Sequence, residues 1–510
     1  MKQLISSFKL LPMAEKMAKN RFKRIHQPLQ KIIVGPLLTI GSALLATATL
    51  TGTAVASPAN SESLDLPKNI IFVISDGMGP AYTSAYRYYM DDPNTDKVEH
   101  TIFDELFVGS SSTYSTGTQK HHTRKTYVTD SAASATALST GIKTYNQAVA
   151  VNTDDKPVET LMQYAKRIDK TTAIVVTSQI NHATPASFIA HNTYRYNYDR
   201  IADDFFDHRV NGKFIADLMF GGGYKYFIRE DRNIAKQFAD AGYQYIDSYE
   251  QLAEFNRLPA LGLFADSGTG YAIDNRRTPY RLTHMVNKAL SLVDKNPQGF
   301  FMLVEASQVD WCGHDNDIAC AMHEVDELAH TIKALKSYVD QNPDTLMVIT
   351  SDHNTGGLSI GANSKYKWEI AKIKQIRSSI NVFTQEILKN ADTPIKILWQ
   401  NNIKIDVSKA QLATIEQVRT SALETILKNR NLAEEKVNEI IEDQRLLVSR
   451  AIADIIADNT LTGWTSFGHT GDDVNVYSYG HSKAVFNGFQ DNVDIGKKLF
   501  KLLGRTSATD

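Results

Sequence analysis

The sequence predicts an α/β fold, with a doubly wound, mostly parallel sheet that helices flank. Two observations indicate this class: short apolar runs recur along the chain, and helical patterns follow most of them. Continuous apolar runs are typical of strands that are buried on both faces. Strands that alternate with helices in this way form largely parallel sheets.

Four apolar runs are the predicted central strands, and each one leads into polar residues. In open α/β sheets, ligands bind outside the carboxyl ends of the strands. Carboxylates or histidines at four successive strand ends therefore point to one common site. The runs, with the polar residues that follow, are 70–74 with Asp76, 172–176 with His182 and Thr184, 300–304 with Glu305, and 346–349 with Asp352 and His353.

Residues 359–458 differ from the rest of the chain, because Lys, Glu, Ile and Leu recur there at helical spacing with few turn signals. Within them, the pattern of 423–455 is that of a mostly amphipathic helix. We interpret 359–458 as a helical insertion or cap beside the site. Further scaffold helices explain the same pattern equally well.

The first 56 residues have the features of a targeting segment. A basic stretch precedes an apolar run at 32–50, and small residues at 54–56 form a cleavage pattern. The sequence therefore predicts a signal peptide at 1–56, a mature domain at 57–510 and a periplasmic or secreted protein without a stable membrane span after cleavage. An uncleaved anchor is the alternative, since about 20 apolar residues can span a bilayer.

The charge of the mature domain argues against a nucleic-acid partner. Residues 1–56 hold eight of the 55 Lys and Arg residues and one of the 57 Asp and Glu residues. This leaves 47 basic and 56 acidic residues in 57–510, a net charge of about −9. A nucleic-acid binder would need clustered basic charge. An anionic substrate is still allowed, because bound metal ions make a site locally positive.

The two cysteines, Cys312 and Cys320, are too few for a scaffold held together by disulfides. In an exported protein they could pair with each other across a short loop. Two free, partly buried thiols are an equally good interpretation of the sequence.

A run of small residues at 131–137 follows Asp130 and favours a helix that other segments approach closely. Asp130 or Ser131 is suited to cap this helix, which places Ser131 at its N-terminus. Unpaired backbone N–H groups and the positive end of the helix dipole favour an oxyanion such as phosphate at that position. A serine hydroxyl needs a base or a metal to act as a nucleophile, and the segment alone is more often an ordinary capped helix.

Candidate metal ligands change that balance. Asp310 and His314 are four residues apart, Asp352 and His353 are adjacent at a strand end, and His469 follows in a later segment. Carboxylate and imidazole groups suit Zn²⁺, whereas carboxylate and hydroxyl oxygens suit Mg²⁺. Any one of these residues could be a helix cap or a hydrogen-bonded side chain. Together they supply enough ligands for more than one metal ion.

The segment 128–137, Val-Thr-Asp-Ser-Ala-Ala-Ser-Ala-Thr-Ala, resembles the nucleophile signature of the alkaline phosphatase family. The resemblance runs from about Lys68 to Leu503, and the other motifs follow in the family's order. It implies an alkaline-phosphatase-like catalytic domain at 57–510 with two zinc ions and one magnesium ion. It also implies that phosphate monoesters are hydrolysed at alkaline pH through a phosphorylated Ser131.

The same resemblance implies a role for each remaining motif residue. Arg195 is implied to clamp the phosphate. The implied ligands are Asp310, His314 and His469 for the first zinc, Asp76, Asp352 and His353 for the second zinc, and Asp76, Thr184 and Glu305 for the magnesium.

Two positions depart from the best-known bacterial member of the family, which has Asp in place of His182 and Lys in place of Trp311. The pairing of His and Trp resembles the alkaline phosphatases of marine, cold-active bacteria. We expect both side chains on the substrate side of the site. His182 either orders water around the third metal or is a plain histidine behind the ligands, which leaves that metal's identity open. Trp311 either lines the substrate entrance or is a packed aromatic.

Small phosphomonoesters are the expected substrates, and because the family is commonly dimeric, a homodimer is one expected assembly. A phosphodiesterase on the same fold is the main alternative, although Arg195 and the three-metal set favour monoesters. A sulfatase would carry a modified Cys or Ser in a different motif. A phosphate- or metal-binding protein without turnover would lack the nucleophile or some ligands, yet every expected position is filled.

Overall fold

A ten-stranded mixed sheet lies at the centre of the fold. The computed structural model describes residues 66–117, 121, 124–275 and 277–506, so the predicted signal peptide lies outside the described residues. In order across the sheet, the strands are β16 (Gly488–Asp491), β2 (Phe107–Ser112), β15 (Val474–Gly480), β10 (Thr345–Thr350), β1 (Asn69–Ser75), β9 (Phe300–Ala306), β3 (Thr171–Gln179), β6 (Leu218–Gly222), β8 (Ala260–Leu263) and β7 (Gln244–Ile246).

Short strands outside this sheet form antiparallel pairs. They are β4 (Arg209–Val210) with β5 (Lys213–Phe214), β11 (Asn354–Thr355) with β14 (His469–Thr470), and β12 (Ser359–Ile360) with β13 (Thr462–Gly463).

Helices of very different lengths flank the sheet. In chain order they are α1 (Pro80–Met90), α2 (Ile102–Leu106), α3 (Ser131–Thr140), α4 (Leu161–Arg167), α5 (Ala183–Ala186), α6 (Tyr198–Asp207), α7 (Tyr224–Phe227), α8 (Ile234–Asp240), α9 (Arg281–Val293), α10 (Gln308–His314), α11 (Ile318–Gln341), α12 (Ile370–Ile373), α13 (Ile380–Lys389), α14 (Ile395–Asn402), α15 (Lys409–Lys428), α16 (Glu434–Thr460) and α17 (Asn492–Leu502). Two 3₁₀ turns lie at Tyr249–Glu254 and Lys483–Phe486.

The predicted fold class is confirmed. The four predicted strands are β1, β3, β9 and β10, which lie side by side and run parallel, whereas β15 is antiparallel to both of its neighbours. Every residue of the four strands is buried. Successive side chains of a strand point to opposite faces, and both faces of β1 are covered. Ile71 and Val73 belong to the main apolar cluster, and Phe72 packs against Phe188.

The register of these strands brings their carboxyl ends to one line. Ile74 of β1 pairs with Thr350 on one side and with Glu305 on the other, and Glu305 in turn pairs with Val176. The polar residues that follow each strand therefore start from the same edge of the sheet. This alignment is what allows segments far apart in sequence to form one site.

The segment predicted as an insertion is helical and contains α12 to α16. Residues 423–455, which we expected to form mostly one helix, are helical except at 429–433, where a turn separates α15 from α16. Apolar residues of the segment, such as Ile380, Phe383 and Ile452, belong to the same buried cluster as Ile71 of β1. The insertion therefore shares the core of the sheet. In the described part of the chain, no helix is both long enough and apolar enough to cross a membrane.

The pairing of the two cysteines, which the sequence left open, is resolved in favour of a disulfide. Cys312 in α10 is bonded to Cys320 in α11, and both are buried. Asp317, between them, caps α11 by accepting from the backbone N–H of Cys320. The bond and the cap together hold the end of α10 against the start of α11.

A buried arginine joins α9, α10 and α11 beneath the site. The Arg281 guanidinium donates to Gln308 Oε1 at 2.5 Å, to both oxygens of Glu324 at 3.1 Å, to Glu327 and to Thr269 Oγ1 at 2.9 Å. Arg281 is 2% exposed, and Glu324 and Glu327 are as deeply buried. Each buried charge in this network therefore depends on the others for its compensation.

Replacing Arg281 with Met should destabilise the protein by about 3–5 kcal/mol at neutral pH, because two buried carboxylates lose their cation. Burial already raises the pKa of Glu324 to about 7. A carboxyl group whose pKa is raised in the folded state stabilises the fold at low pH, and this stabilisation is lost as the pH rises. The stability that Arg281→Met loses relative to the wild type should therefore become smaller as the pH falls from about 8 to about 5. Urea unfolding of Arg281→Met and of the exposed Lys333→Met control on α11 tests this. If both variants lost the same free energy of unfolding, or if the loss in Arg281→Met did not depend on pH, Arg281 would not be the cation that compensates the buried carboxylates.

Candidate active site

The residues singled out in the sequence meet at the carboxyl ends of the central strands. Asp76 follows β1, Glu305 ends the apolar part of β9, and Asp352 and His353 follow β10. The remaining members are Ser131 at the start of α3, Thr184 in α5, Arg195 in the segment before α6, Asp310, Trp311 and His314 in α10, His182 before α5, and His469 in β14. All twelve belong to one connected cluster.

Ser131 occupies the first turn of α3, as predicted. Asp130 is the N-cap and its carboxylate accepts from the backbone N–H of Ala133 at 3.0 Å. The Ser131 hydroxyl is buried and lies 3.1 Å from Nε2 of His353. The small residues of α3 allow close packing, since a side chain at Gly496 of α17 would collide with the carbonyl groups of Ala137 and Leu138.

Each of three histidines turns Nε2 towards the centre of the site. Nδ1 of His314 lies 2.7 Å from the carbonyl oxygen of Phe467, and Nδ1 of His469 lies 2.9 Å from that of Thr129. A carbonyl only accepts, so Nδ1 carries the proton and Nε2 keeps its lone pair. His353 follows the same pattern, with Nδ1 3.3 Å from Thr355 Oγ1. Such an orientation suits metal ligation through Nε2.

Acidic and imidazole groups converge in three overlapping clusters. Their ligand atoms lie within 4.8 Å of one another in the groups Asp310, His353 and His469; Asp76, Asp352 and His353; and Asp76, His182 and Glu305. His314 adjoins the first group, with Nε2 3.2 Å from Nε2 of His469 and 3.4 Å from Asp310. The resemblance implied that Asp76 is a shared ligand, and in the structure Asp76 belongs to two of the groups.

Several polar atoms of these clusters are buried with no hydrogen-bond partner among the described residues. They are both carboxylate oxygens of Asp76, Oδ2 of Asp352, Oε1 of Glu305, Oγ1 of Thr184 and Nδ1 of His182. Buried polar groups normally have partners, because an unpaired one costs about 1–3 kcal/mol. Unpaired oxygens and nitrogens that converge in this way fit metal ions as their missing partners.

Burial dominates the electrostatics of the site. Desolvation, with the charge of Asp310 added, raises the pKa of Asp352 to about 8. Desolvation also raises the pKa of Glu305 to about 7 and the pKa of Asp76 well above its ordinary range. It lowers the pKa of His182 to about 3, so that this imidazole is neutral. The carboxylates therefore obtain no compensating charge from that imidazole and favour bound cations instead.

Arg195 brings a permanent positive charge to the site. It is 6% exposed, and its pKa stays above the ordinary arginine value. Nη1 donates to Asp130 Oδ2 at 3.1 Å, and Nη2 lies 3.3 Å from Nε2 of His182. The sequence predicted Asp130 only as a helix cap and gave no sign of its second contact, with Arg195. The adjacency of Asp130 to Ser131 was the one available signal.

Thr355 is a second residue that sequence reasoning missed. Its Oγ1 donates to Asp310 Oδ1 at 2.5 Å and so joins the loop after β10 to α10. Thr355 also pairs with His469 across β11 and β14. This pairing stacks the rings of His353 and His469, with centroids 3.6 Å apart. A two-residue pair between distant segments leaves no pattern in the sequence.

Trp311 and His182 are in contact at the side of the site. Their rings meet edge to face with centroids 6.1 Å apart, and Trp311 also meets Tyr271 edge to face at 6.5 Å. A side chain at Gly268 would collide with the indole ring. Trp311 is therefore packed on several sides, yet it is partly exposed at the site. These contacts favour the interpretation of Trp311 as a packed aromatic, and its place at the substrate entrance stays a prediction.

The model of the alkaline phosphatase family matches residues 67–505. The chain belongs to this family. It is 41% identical to alkaline phosphatase 3 of Bacillus subtilis (strain 168) over 437 residues, which cover 86% of this chain and 89% of that protein. The chain is therefore an alkaline phosphatase, and phosphate monoester hydrolysis, which the resemblance implied, is its reaction.

Solved structures support the same assignment. The cold-active alkaline phosphatase of a psychrophilic Shewanella sp. matches with a TM-score of 0.74 and 40% identity, over 86% of this chain and 100% of that chain. Thermus thermophilus alkaline phosphatase matches with a TM-score of 0.72 and 26% identity, over 90% of this chain and 96% of that chain.

Replacing Ser134 with Ala should lower kcat, because a hydrogen bond from Ser134 joins the helix that carries Ser131 to the segment that carries Asp352 and so helps to position Ser131. Its Oγ donates to the Asp352 carbonyl at 2.7 Å and accepts from Asn492 Nδ2 at 2.9 Å. We expect a loss of about 1–3 kcal/mol in stability, as for any buried hydrogen-bonding group left unpaired. The measurement is steady-state kinetics together with urea unfolding.

Ser139→Ala is the matched control for Ser134→Ala. Ser139 lies on the same helix, is equally buried and donates to the Ser187 carbonyl at 2.6 Å, away from Asp352. Both variants should lose similar stability, and only Ser134→Ala should lose kcat. Equal kcat values in the two variants would show that the hydrogen bond between Ser134 and Asp352 does not affect the position of Ser131.

Proposed function

We propose that the chain hydrolyses phosphate monoesters through a phosphorylated Ser131, at a site that holds two zinc ions and one magnesium ion. The observation that carries this proposal is the convergence of unpaired, buried ligand atoms around the Ser131 hydroxyl. A capped helix N-terminus alone would be unremarkable. A helix N-terminus beside three ligand clusters is suited to phosphoryl transfer.

The proposed ligand sets draw on the three clusters, with His314 in place of His353 in one and Thr184 in place of His182 in another. One zinc would be held by Asp310, His314 and His469, and the other by Asp76, Asp352 and His353. The magnesium would be held by Asp76, Thr184 and Glu305, whose unpaired oxygens are the hard ligands that Mg²⁺ prefers. His182 lies within ligand distance of Asp76 and Glu305, and we propose that it adjoins the third ion directly or through water.

The metal ions, when bound, supply Lewis-acid stabilisation of the attacking and leaving oxygens and a low pKa for the attacking water. The chain's own residues do the positioning. The start of α3 presents backbone N–H groups to the phosphate. Arg195, fixed by Asp130, is placed to donate to two phosphoryl oxygens, because a guanidinium presents parallel N–H groups.

Two displacements at phosphorus then account for the reaction. In the first, Ser131 Oγ forms a bond to phosphorus, the ester P–O bond breaks, and the alcohol leaves with a proton. In the second, a water oxygen forms a bond to phosphorus and the bond to Ser131 breaks. Inorganic phosphate leaves, and Ser131 recovers its hydrogen. The chain returns to its starting state after both steps.

We also propose that the protein is exported, with 1–56 as a cleaved signal peptide and 57–510 as the catalytic domain in the periplasm or outside the cell. The basic, apolar and small-residue pattern of 1–56 supports this proposal. A homodimer is the assembly that we propose by analogy with the family.

Removing the metals should abolish hydrolysis of p-nitrophenyl phosphate at alkaline pH, and adding Zn²⁺ with Mg²⁺ should restore it. Ser131→Ala should bind the same metals, form no phosphorylated protein in acid-quenched samples, and lose roughly 10³-fold or more in kcat. The measurements are turnover, metal content and the phosphorylated fraction of the protein.

Three outcomes would contradict the proposal. Full activity after exhaustive chelation would exclude the metal ions, and full turnover by Ser131→Ala would exclude the nucleophile. Faster hydrolysis of bis-p-nitrophenyl phosphate than of the monoester would favour a diesterase instead.

Replacing Arg195 with Ala should weaken inhibition by inorganic phosphate without changing the metal content. The loss of two charge-assisted hydrogen bonds, each worth about 1.5–3 kcal/mol, predicts a rise of roughly 10²- to 10⁴-fold in the inhibition constant. Arg200→Ala is the matched control, because Arg200 is an exposed arginine at the start of α6. Equal phosphate inhibition in the wild type and both variants would remove Arg195 from the phosphate site.

A further inference from the structure

The helical insertion is joined at both ends to segments that carry site histidines. His353 lies six residues before β12 begins, and His469 lies six residues after β13 ends. The pairing of β12 with β13 closes the neck of the insertion. Two short segments therefore connect this neck to the two histidines.

The segment between the neck and His469 is held against the segment that follows His353. The backbone N–H groups of Thr465 and Ser466 donate to the Gly356 carbonyl, at 3.0 and 3.1 Å, and that of Gly356 donates to the Gly468 carbonyl at 2.9 Å. A side chain at Gly356 would collide with the ring of Trp464. Residues 464–468 therefore have little freedom of their own.

Phe467 connects this segment to His314. Its carbonyl oxygen accepts from Nδ1 of His314 at 2.7 Å, which fixes both the tautomer and the direction of Nε2. The side chain of Phe467 contacts a different residue, Arg450 of α16, whose Cζ lies 4.7 Å from the ring centroid. Phe467 thus lies between a helix of the insertion and a proposed zinc ligand.

The ring of Phe467 lies against the Arg450 guanidinium. Its Nε is buried and has no hydrogen-bond partner among the residues that the structure describes. Asp454 lies one turn later on α16, and its pKa is raised by burial and by the charge of Asp458, against which the charge of Arg450 acts. A guanidinium over a ring face is attracted by the ring quadrupole, and the attraction grows as water is excluded.

We propose that Arg450 is a positioning residue, and that α16 holds His314 through Arg450 and Phe467 and so slows release of the ion at Asp310, His314 and His469. The inference rests on the ligand set proposed above. It assigns the insertion a role in metal retention beyond that of scaffold helices. Residues that orient a metal-bound histidine typically change metal affinity by about 10- to 100-fold when they are replaced.

The test is the rate of zinc release from the holoenzyme into excess chelator. Arg450→Met keeps the apolar stem against Phe467 and removes the charge. We expect one phase of zinc release to become roughly tenfold faster and the other to stay unchanged. The accelerated phase should be the same one that Asp310→Asn accelerates. Arg450→Lys, which keeps a cation over the ring, should restore part of the retention.

Arg430→Met is the matched control, because Arg430 is exposed in the turn before α16. It should release zinc as the wild type does. Should Arg450→Met fail to fold, Phe467→Leu removes the ring and keeps the carbonyl, and it should accelerate the same phase.

The outcomes separate the two proposals. A wild type that binds no zinc would overturn the proposed ligand set, and the inference with it. A wild type that binds zinc, with unchanged release from Arg450→Met, would overturn the inference alone. Equal acceleration of both phases, with a matching loss of stability in urea, would show a purely structural role and would also overturn it.

Discussion

Burial of several carboxylates at one end of the sheet is the constraint on which the rest of the site depends. Asp76, Glu305 and Asp352 are fully buried at the carboxyl ends of adjacent strands, and burial raises the pKa of each. Such a group of buried acids is either protonated or compensated by cations, and only cations keep the carboxylates ionised. Arg195 supplies one fixed charge, and the unpaired ligand atoms leave room for metal ions to supply the rest. The same concentration of positive charge would then attract a phosphate dianion. Metal binding and substrate binding are therefore two results of one electrostatic arrangement.

Compensation of charge at this site also requires rigid ligands, and much of the surrounding structure provides rigidity. The register of β1, β9 and β10 sets the spacing of the carboxylates. The pairing of β11 with β14 sets the distance between two histidines, and Thr355 joins that pair to Asp310. The disulfide holds the end of α10, which carries Asp310 and His314, against α11. These contacts come from different parts of the chain, yet each one restricts a group that would otherwise move relative to the proposed ions.

The parts of this arrangement that the sequence predicts are those with a local signature. Apolar runs identified the central strands, and the small-residue helix after Asp130 located Ser131. The contacts that orient the ligands have no such signature, because they join residues far apart in the chain. Thr129 and His469, for example, are separated by 340 residues, and His314 and Phe467 by 153. The same limit applies to the second contact of Asp130, whose partner is 65 residues away. Helical spacing predicted the helices of 359–458 but carried no information about which loop they would contact.

The insertion lies between His353 and His469 in the chain, and the residues proposed to affect metal retention there differ from those proposed to carry out hydrolysis. The side chains that we propose to touch the ions or the phosphate lie at the sheet ends, in α3, α5, α10 and β14, and before α6, and we expect a change in any of them to alter the reaction itself. Arg450 contacts the ring of Phe467, whose contribution to His314 is a backbone carbonyl. Substitutions on the outer side of Phe467 leave that carbonyl in place and alter only how firmly it is held. The insertion can therefore vary in sequence and adjust the lifetime of the bound ion while the groups that perform hydrolysis stay the same.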